Sequence, residues 1–289
     1  MLTKPQLHNL LAEGPLLLDG ATGSNLMKAG MPRGCCTEKW VLENPEALKN
    51  LQRAYVEAGS QVIYAPTFQA QPLALARMGL ADQTEKINEQ LVQLSRSVCG
   101  NALVAGDLTT LAVYTDSFDP ENFDLLVENY RRQIRGLING GADLLVAETL
   151  MYPTEAEAIL TAAELEGASC CMYCFTMQAD GSLFSGMDAG PILKELEESG
   201  AAAVGFNCVA ADNFTAGLVS RLRRYVKGPI LCKPNAGVPT IGPDNLPHYP
   251  MEPEEFSAIM ADCKAMGAQL LGGCCGTDPS FIRALSSLA

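Results

Sequence analysis

Three cysteines in two short segments are the residues best placed to do chemistry. Cys208 closes the segment Gly205-Phe206-Asn207-Cys208, and Cys274 and Cys275 lie within Gly272-Gly273-Cys274-Cys275-Gly276-Thr277. Each segment ends an apolar run that reads as a buried strand, so three thiols stand where strands hand over to loops. Converging thiolates of this kind bind zinc. The total of 11 cysteines does not by itself make the point, because there are three Cys-Cys pairs: Cys35-Cys36, Cys170-Cys171 and Cys274-Cys275. Neighbours within a strand point to opposite faces, so Cys170 and Cys171, inside a run that continues to Phe175, cannot hold one ion together and read as small buried hydrophobes. Cys274 and Cys275 end a strand and precede Gly276, which permits the turn that sets both sulfurs on one side. Between ligation and mere burial, spacing favours ligation for this pair together with Cys208.

Those thiols require a scaffold, and the apolar periodicity supplies one. Strand-like runs begin at Leu16, Val62, Leu103 and Asp143, and four more follow at Cys171, Ala203, Pro229 and Leu270. They are continuous rather than alternating, as expected of parallel strands buried on both faces. Helical patterns lie between them. Asn44-Pro45-Glu46 is a start signal, Leu48, Leu51, Tyr55 and Ala58 share one face, and Gly59 stops the helix. Thr154 with Glu157 reads as a capping box, and Gly167 ends that helix. Gly59, Gly141, Gly167, Gly200 and Gly267 each stand just before an apolar run, as left-handed C-caps leading into short connections. Together these predict an α/β fold, a single (β/α)8 TIM barrel over residues 1–289. A doubly wound open sheet is the alternative, disfavoured by the eight strands and by the lack of a Gly-x-Gly-x-x-Gly turn.

In such a barrel the chemistry belongs at the C-terminal strand ends. The polar residues there are Asp19, Thr67, Asp107, Glu148, Cys208, Asn235, Cys274 and Cys275. Adjacent strands are about 4.8 Å apart, so Cys208 and Cys274 must curl inward to share an ion with bonds of ~2.3 Å. Neither His8 nor His248 follows one of these strands closely, which leaves three cysteines without an obvious fourth ligand. Structural zinc sites are closed by four protein ligands, whereas catalytic ones keep a position open. A substrate thiol suits that position, because its pKa of about 8.5 leaves it mostly protonated until a metal removes the proton. The expected reaction is alkyl transfer to sulfur.

The spacing of Cys208, Cys274 and Cys275 resembles that of the homocysteine S-methyltransferase family, and the resemblance runs over nearly the whole chain. Asp19-Gly20-Ala21-Thr22-Gly23-Ser24-Asn25 is similar to the family's Asp-Gly-rich first motif, and Glu148 in Ala147-Glu148-Thr149 stands at its acidic position after strand four. Lys233-Pro234-Asn235-Ala236-Gly237-Val238-Pro239 resembles its strand-seven motif, in the form of the cobalamin-dependent methionine synthase branch rather than the betaine branch. Gly276-Thr277-Asp278-Pro279 resembles its closing loop. The resemblance implies one Zn2+ per chain on the three cysteines. It also implies catalytic roles for Asp19 and Glu148, with homocysteine or a related thiol held by Asp19, Gly20, Ala21, Thr22, Thr67, Glu148 and Asn235. Backbone N–H groups of the first loop would face the substrate carboxylate, and Asp19 and Glu148 its ammonium group. Taken singly, Asp19 reads equally as a turn residue and Glu148 as a favourable charge near a helix N-terminus.

Two segments depart from the family pattern. Pro66-Thr67-Phe68-Gln69-Ala70 stands where the family commonly has Asn-Thr-Phe-Gly-Ala, and Asp107-Leu108-Thr109-Thr110 replaces a Gly-Pro-containing turn. Both border the barrel mouth, where a donor approaches. The expected donor is a separate methylcorrinoid protein, the corrinoid being present only through that partner, since no folate or cobalamin module follows Ala289. S-methylmethionine, S-adenosylmethionine and betaine are the alternatives; betaine would call for an aromatic cage, for which Trp40, Tyr64, Phe68 and Tyr114 are candidates. From other classes come a non-catalytic zinc-binding barrel subunit and an enzyme with Cys208 as nucleophile, the latter disfavoured because no histidine lies near Cys208 in sequence.

Composition limits the partners. The chain is 48% apolar and 18% charged with a net charge of −13, so it can bury a large core but offers no cationic surface for nucleic acid or anionic membrane. No signal-peptide core and no apolar run of ~20 residues is present, and a cytoplasmic location is expected. Composition and motifs say nothing of the oligomeric state.

Overall fold

The structure, a computed structural model, describes residues 1–242 and 247–289. Eight parallel strands form the sheet: β1 (Leu16–Leu17), β2 (Val62–Tyr64), β3 (Leu103–Thr109), β4 (Leu144–Leu150), β5 (Cys171–Phe175), β6 (Ala203–Ala210), β7 (Ile230–Asn235) and β8 (Ala268–Leu271). β1 pairs with β8, each remaining strand pairs with its sequence neighbours, and a parallel bridge between Leu18 and Val62 closes β1 onto β2. This is the expected single (β/α)8 barrel, and the doubly wound alternative falls away. A small hairpin, Thr240–Ile241 against Pro247–His248, stands apart from the barrel.

Alternation within the apolar runs divides the core into two. Leu16, Leu18, Val62, Tyr64, Ala105, Val146, Met172, Cys174, Leu231 and Leu270 fill the lumen, together with Leu7 and Leu11 of helix Lys4–Glu13. That helix lies at the N-terminal end of the barrel, where His8 Nε2 is 2.8 Å from the Ala202 carbonyl. The intervening residues, among them Leu17, Ile63, Val104, Leu145, Cys171, Tyr173, Phe175, Phe206 and Cys232, pack outward against the helices. Cys170 and Cys171 accordingly belong to opposite faces. All eleven cysteines are free thiols.

The helix stops follow the sequence closely. Gly59, Gly141, Gly167, Gly200 and Gly267 all adopt positive φ, from 75° to 114°, a region that strains any residue with a Cβ. The capping box at Thr154 does not form. Helix Pro153–Leu165 begins at Pro153 with Tyr152 at its cap and no side-chain cap bond. Proline already holds the φ of the first helical position, which draws Thr154 into the first turn. Strand ends also run further than the apolar runs suggested: β3 continues through Asp107 to Thr109, β4 through Glu148 to Leu150, and β6 through Asn207 and Cys208 to Ala210. Their polar residues therefore sit on strand positions rather than in the following loops. Among the described residues, no helix is long and apolar enough to cross a membrane.

Candidate active site

At the C-terminal end of the barrel the strand ends surround a cavity of about 390 Å³, walled by residues 20–24, the strand-two loop, Asp107, Glu148, Lys233 and the three cysteines. Cys208 Sγ lies 3.4 Å from Cys274 Sγ and 3.7 Å from Cys275 Sγ, and all three sulfurs are within 4.8 Å of one another. A tetrahedral ion with bonds of ~2.3 Å needs sulfurs about 3.8 Å apart, close to the two separations from Cys208, so the trio is of a size and chemistry to hold a zinc ion. Among the described residues it is the sole cluster of metal-ligand type.

Local backbone explains how residues from β6 and the end of β8 converge. Gly276 follows the pair at φ 83°, and a Cβ there would collide with Tyr249. Cys274 N–H donates to the Pro234 carbonyl and Cys275 N–H to Asn235 Oδ1, 2.7 and 3.0 Å long, which fastens the pair to the end of β7. Cys208 itself has φ 58°, and Thr149 has φ 59°. Positive φ in residues other than glycine costs of order 1–3 kcal/mol each and persists only where the surroundings enforce it. Both lie where a strand register shifts: β4 against β5 between Ala147 and Leu150, and β6 against β7 between Asn207 and Ala210. The shift re-aims Cys208 at the pair that follows β8.

The sulfurs interact strongly. Hydrogen bonds from the Cys208 and Cys274 thiols hold Cys275 down to about 3, while its neighbours push Cys208 up, Cys274 foremost. Their close approach couples the three thiols to one another.

The same cavity is lined by a buried charge cluster. Lys233 Nζ lies 3.7 Å from Asp19 Oδ1 and 3.7 Å from Glu148 Oε2, and 4.5 Å from the centre of the Tyr64 ring. Asp19 Oδ2 accepts the Tyr64 N–H at 2.8 Å. Burial raises the Asp19 and Glu148 carboxyls to about 7 against the opposing pull of Lys233. Burial and the Glu148 charge push Asp107 well up. Burial works against the Lys233 charge, yet Glu148 and Asp19 hold it above the usual lysine range. Asp19 Oδ1, Asp107 Oδ1 and Glu148 Oε2 are buried without a hydrogen-bond partner. These three buried oxygens, on residues that line the cavity, have acceptor capacity left for an N–H donor beyond Lys233.

The cavity thus gathers Asp19, Gly20, Ala21, Thr22, Glu148, Cys208, Cys274 and Cys275 from the sequence-derived set. Thr67 and Asn235 do not line it. Thr67 is fully buried, its hydroxyl donating to the Asp107 carbonyl at 2.8 Å and accepting the Asp107 N–H at 3.0 Å. Asn235 spends its side-chain oxygen on Cys275 N–H. Both orient neighbouring strands instead of facing the cavity. In the first loop, Ala21 N–H is taken by Thr277 Oγ1 at 3.2 Å, while Asn25 and Tyr55 bind the Ala21 carbonyl, so the loop is held rigidly beside the cavity.

Lys233 and Glu38 line the cavity without having been singled out from the sequence, and Asp107, noted only as a polar strand-end residue, joins them. Lys233 carried a signal, a lysine directly continuing the apolar run Ile230-Leu231-Cys232. Asp107 stood at a strand end but had no matching motif. Glu38 lines the mouth from helix Thr37–Glu43, buried, accepting the Gln69 N–H at 2.8 Å; nothing local marked it. The aromatic candidates do not form a cage. Tyr64 and Phe68 line the cavity, but Tyr114 and Trp40 do not, and the Tyr114 face carries the Arg77 guanidinium at 4.3 Å.

With this geometry in hand, comparison with known proteins gives a consistent picture. The family model for homocysteine S-methyltransferase matches residues 16–289. A methionine synthase of Mycobacterium leprae is 25% identical over 97% of this chain, which spans only 25% of that protein's length. A homocysteine S-methyltransferase of Escherichia coli is 28% identical over 94% of both chains. The crystal structure of the homocysteine methyltransferase MmuM from Escherichia coli in its metallated form is similar at a TM-score of 0.83, with 26% identity over 98% of this chain and 99% of that one.

Proposed function

The chain belongs to the homocysteine S-methyltransferase family, and from that premise we propose that it transfers a methyl group to the thiol of homocysteine, giving methionine. On this reading it holds one zinc ion on Cys208, Cys274 and Cys275 and takes the methyl from a separate methylcorrinoid protein. The observation that carries the reading is that one cavity is lined both by the three clustered sulfurs and by the buried Asp19, Asp107, Glu148 and Lys233.

The chain's own residues account for binding. An α-ammonium offers N–H donors that would join Lys233 in satisfying the buried carboxyls of Asp19, Asp107 and Glu148. Lys233 balances part of the negative charge and keeps these carboxyls from losing it altogether, while one cation against three acids leaves the pocket receptive to a second. The rigid loop of residues 20–24 forms the polar wall for the substrate carboxylate. The thiol end then reaches the cysteine cluster. Zinc, when bound there, supplies the Lewis acidity that strips the proton from an acceptor thiol and keeps the sulfur electron-rich. In the transfer the sulfur–methyl bond forms as the donor's bond to the methyl carbon breaks with its electron pair left on the donor, and the thiol proton passes to solvent.

Support for a macromolecular donor comes from the rim. Val113, Phe118, Phe184, Phe214, Val238 and Ile241 are all exposed, on loops after β3, β5, β6 and β7, at the end of the barrel where the cavity opens. Exposed apolar side chains gathered at one end favour contact with another protein. A second reading, with a small-molecule donor such as S-methylmethionine or S-adenosylmethionine, draws on the Escherichia coli relative, matched over nearly its full length. Betaine fits less well, because Tyr64 and Tyr114 already hold protein cations.

The test is zinc per chain, by elemental mass spectrometry on protein purified under reducing conditions. Methyl transfer to homocysteine is then assayed with each donor. About one zinc with transfer from a methylcorrinoid protein is expected. Transfer only from a small molecule replaces the donor, and zinc retention without transfer from any donor favours a non-catalytic barrel. No zinc and no transfer overturns the reading.

A further inference from the structure

We propose that the side chain of Asn207 is a positioning residue that couples the cysteine cluster to the carboxylate side of the cavity, so that the metal-binding and acceptor-binding halves keep one geometry. The inference rests on the function proposed above and concerns how the site is held. β4 and β6 are not neighbours, since β5 lies between them. β5 ends at Phe175, which pairs with Phe206 on one side and Leu150 on the other. It therefore stops one residue short of Asn207, and the fully buried Asn207 side chain reaches across that end to β4.

Its amide is used on both sides. Asn207 Oδ1 accepts the Thr149 N–H at 2.7 Å, and Nδ2 donates to Thr149 Oγ1 at 2.8 Å. The same Nδ2 lies 3.9 Å from Cys274 Sγ, within reach of a weak N–H···S bond. Asn207 precedes Cys208, and Thr149 follows Glu148. Those two neighbours, Cys208 and Thr149, are the residues other than glycine that adopt positive φ among the described residues. One amide thus spans both strained positions. A threonine in the left-handed region needs enforcement, because its branched Cβ crowds the backbone there, and the paired bonds from Asn207 provide it. The chemistry also explains the residue type. An amide combines the acceptor that Thr149 N–H requires with a donor tolerable beside a thiolate; aspartate would lose the donor and add a like charge, and leucine would offer neither.

The experiment compares wild type with Asn207→Ala and the nearly isosteric Asn207→Asp, each checked for folding by circular dichroism. Zinc affinity is measured by competition with a chromophoric chelator, thiolate geometry by the absorption spectrum of the Co2+-loaded protein, and acceptor binding by the KM for homocysteine against kcat. Residues that orient metal ligands typically cost about 10–100-fold in metal affinity when removed. A loss in that range is expected for both variants, with a shifted Co2+ spectrum. A raised KM for homocysteine should accompany it in Asn207→Ala, because Glu148 is released as well. Asn207→Asp retains the acceptor for Thr149 N–H, so its KM should rise less while its zinc affinity still falls; it also carries the test if Asn207→Ala does not fold. A folded variant with unchanged zinc affinity, spectrum and KM overturns the coupling and leaves the proposed function standing. A wild-type chain that binds no zinc and methylates no thiol removes the function and the coupling with it.

Discussion

The ammonium of Lys233 lies 3.7 Å from Glu148 Oε2 and equally far from Asp19 Oδ1, at the top of the barrel lumen and almost out of reach of solvent. One cation thereby holds together acids contributed by β1 and β4 from a position on β7. Removing one partner of a buried ion pair leaves the others uncompensated, which typically costs about 3–5 kcal/mol. Lys233→Met should lose stability on that scale in urea denaturation at neutral pH. Unchanged stability would mean that the acids simply take up protons at no cost.

The same cluster sets a pH dependence. Asp19 and Glu148 have folded-state values raised to about 7, above those of an unfolded chain, so the fold binds protons more tightly than the unfolded state does. Their contribution to stability is full below the ordinary carboxyl range and declines as pH rises toward 7. Homocysteine binding should move the opposite way, because its ammonium needs ionised acceptors. Calorimetric titration with an amino-acid analogue of homocysteine that lacks the thiol should show affinity increasing from pH 6 to pH 8, with proton release at the lower pH. Affinity that is flat over this interval would argue against the carboxyls as the ammonium site.

Loss of one sulfur should empty the metal site. Cys208→Ala leaves two sulfurs, and zinc content after dialysis against a chelator should fall from about one per chain to near zero, with methyl transfer abolished. Wild-type protein stripped by a chelator should regain activity on adding Zn2+. Retention of zinc in Cys208→Ala would place the ion elsewhere.

A protein donor should feel the rim. Phe214 is 68% exposed and Phe184 62%, and neither reaches the cavity wall. The double substitution Phe184→Ser with Phe214→Ser should raise the KM for a methylcorrinoid protein by roughly tenfold, the loss of about 1.4 kcal/mol of contact energy. The KM for homocysteine should not change. With a small-molecule donor the pair should be silent, and that result would exclude these loops from donor contact.

Much of the molecule could be read along the chain. The runs around Leu16, Val62 and Leu103 announced buried strands because strands covered on both faces are apolar throughout. The glycines ending each helix were legible because only glycine adopts the left-handed cap freely. Cys208, Cys274 and Cys275 could be grouped because each closes such a run beside a turn, a local signal, and Asp19 and Glu148 through motifs that resemble a family. What the chain order could not contain is which face of a doubly buried strand turns inward. Closure of β1 onto β2 decided that, sending Leu16 and Leu18 to the lumen and Leu17 to the helices. It also brought Lys233 from β7 against Asp19 and Glu148, contacts across 214 and 85 positions that no local pattern encodes. Asn207 met Thr149 through a contact across 58 positions, where β4 shifts its register against β5. Thr67 and Asn235 turned to backbone partners for the same kind of reason: a buried polar side chain takes the nearest unsatisfied N–H or C=O, and tertiary packing determines which one that is.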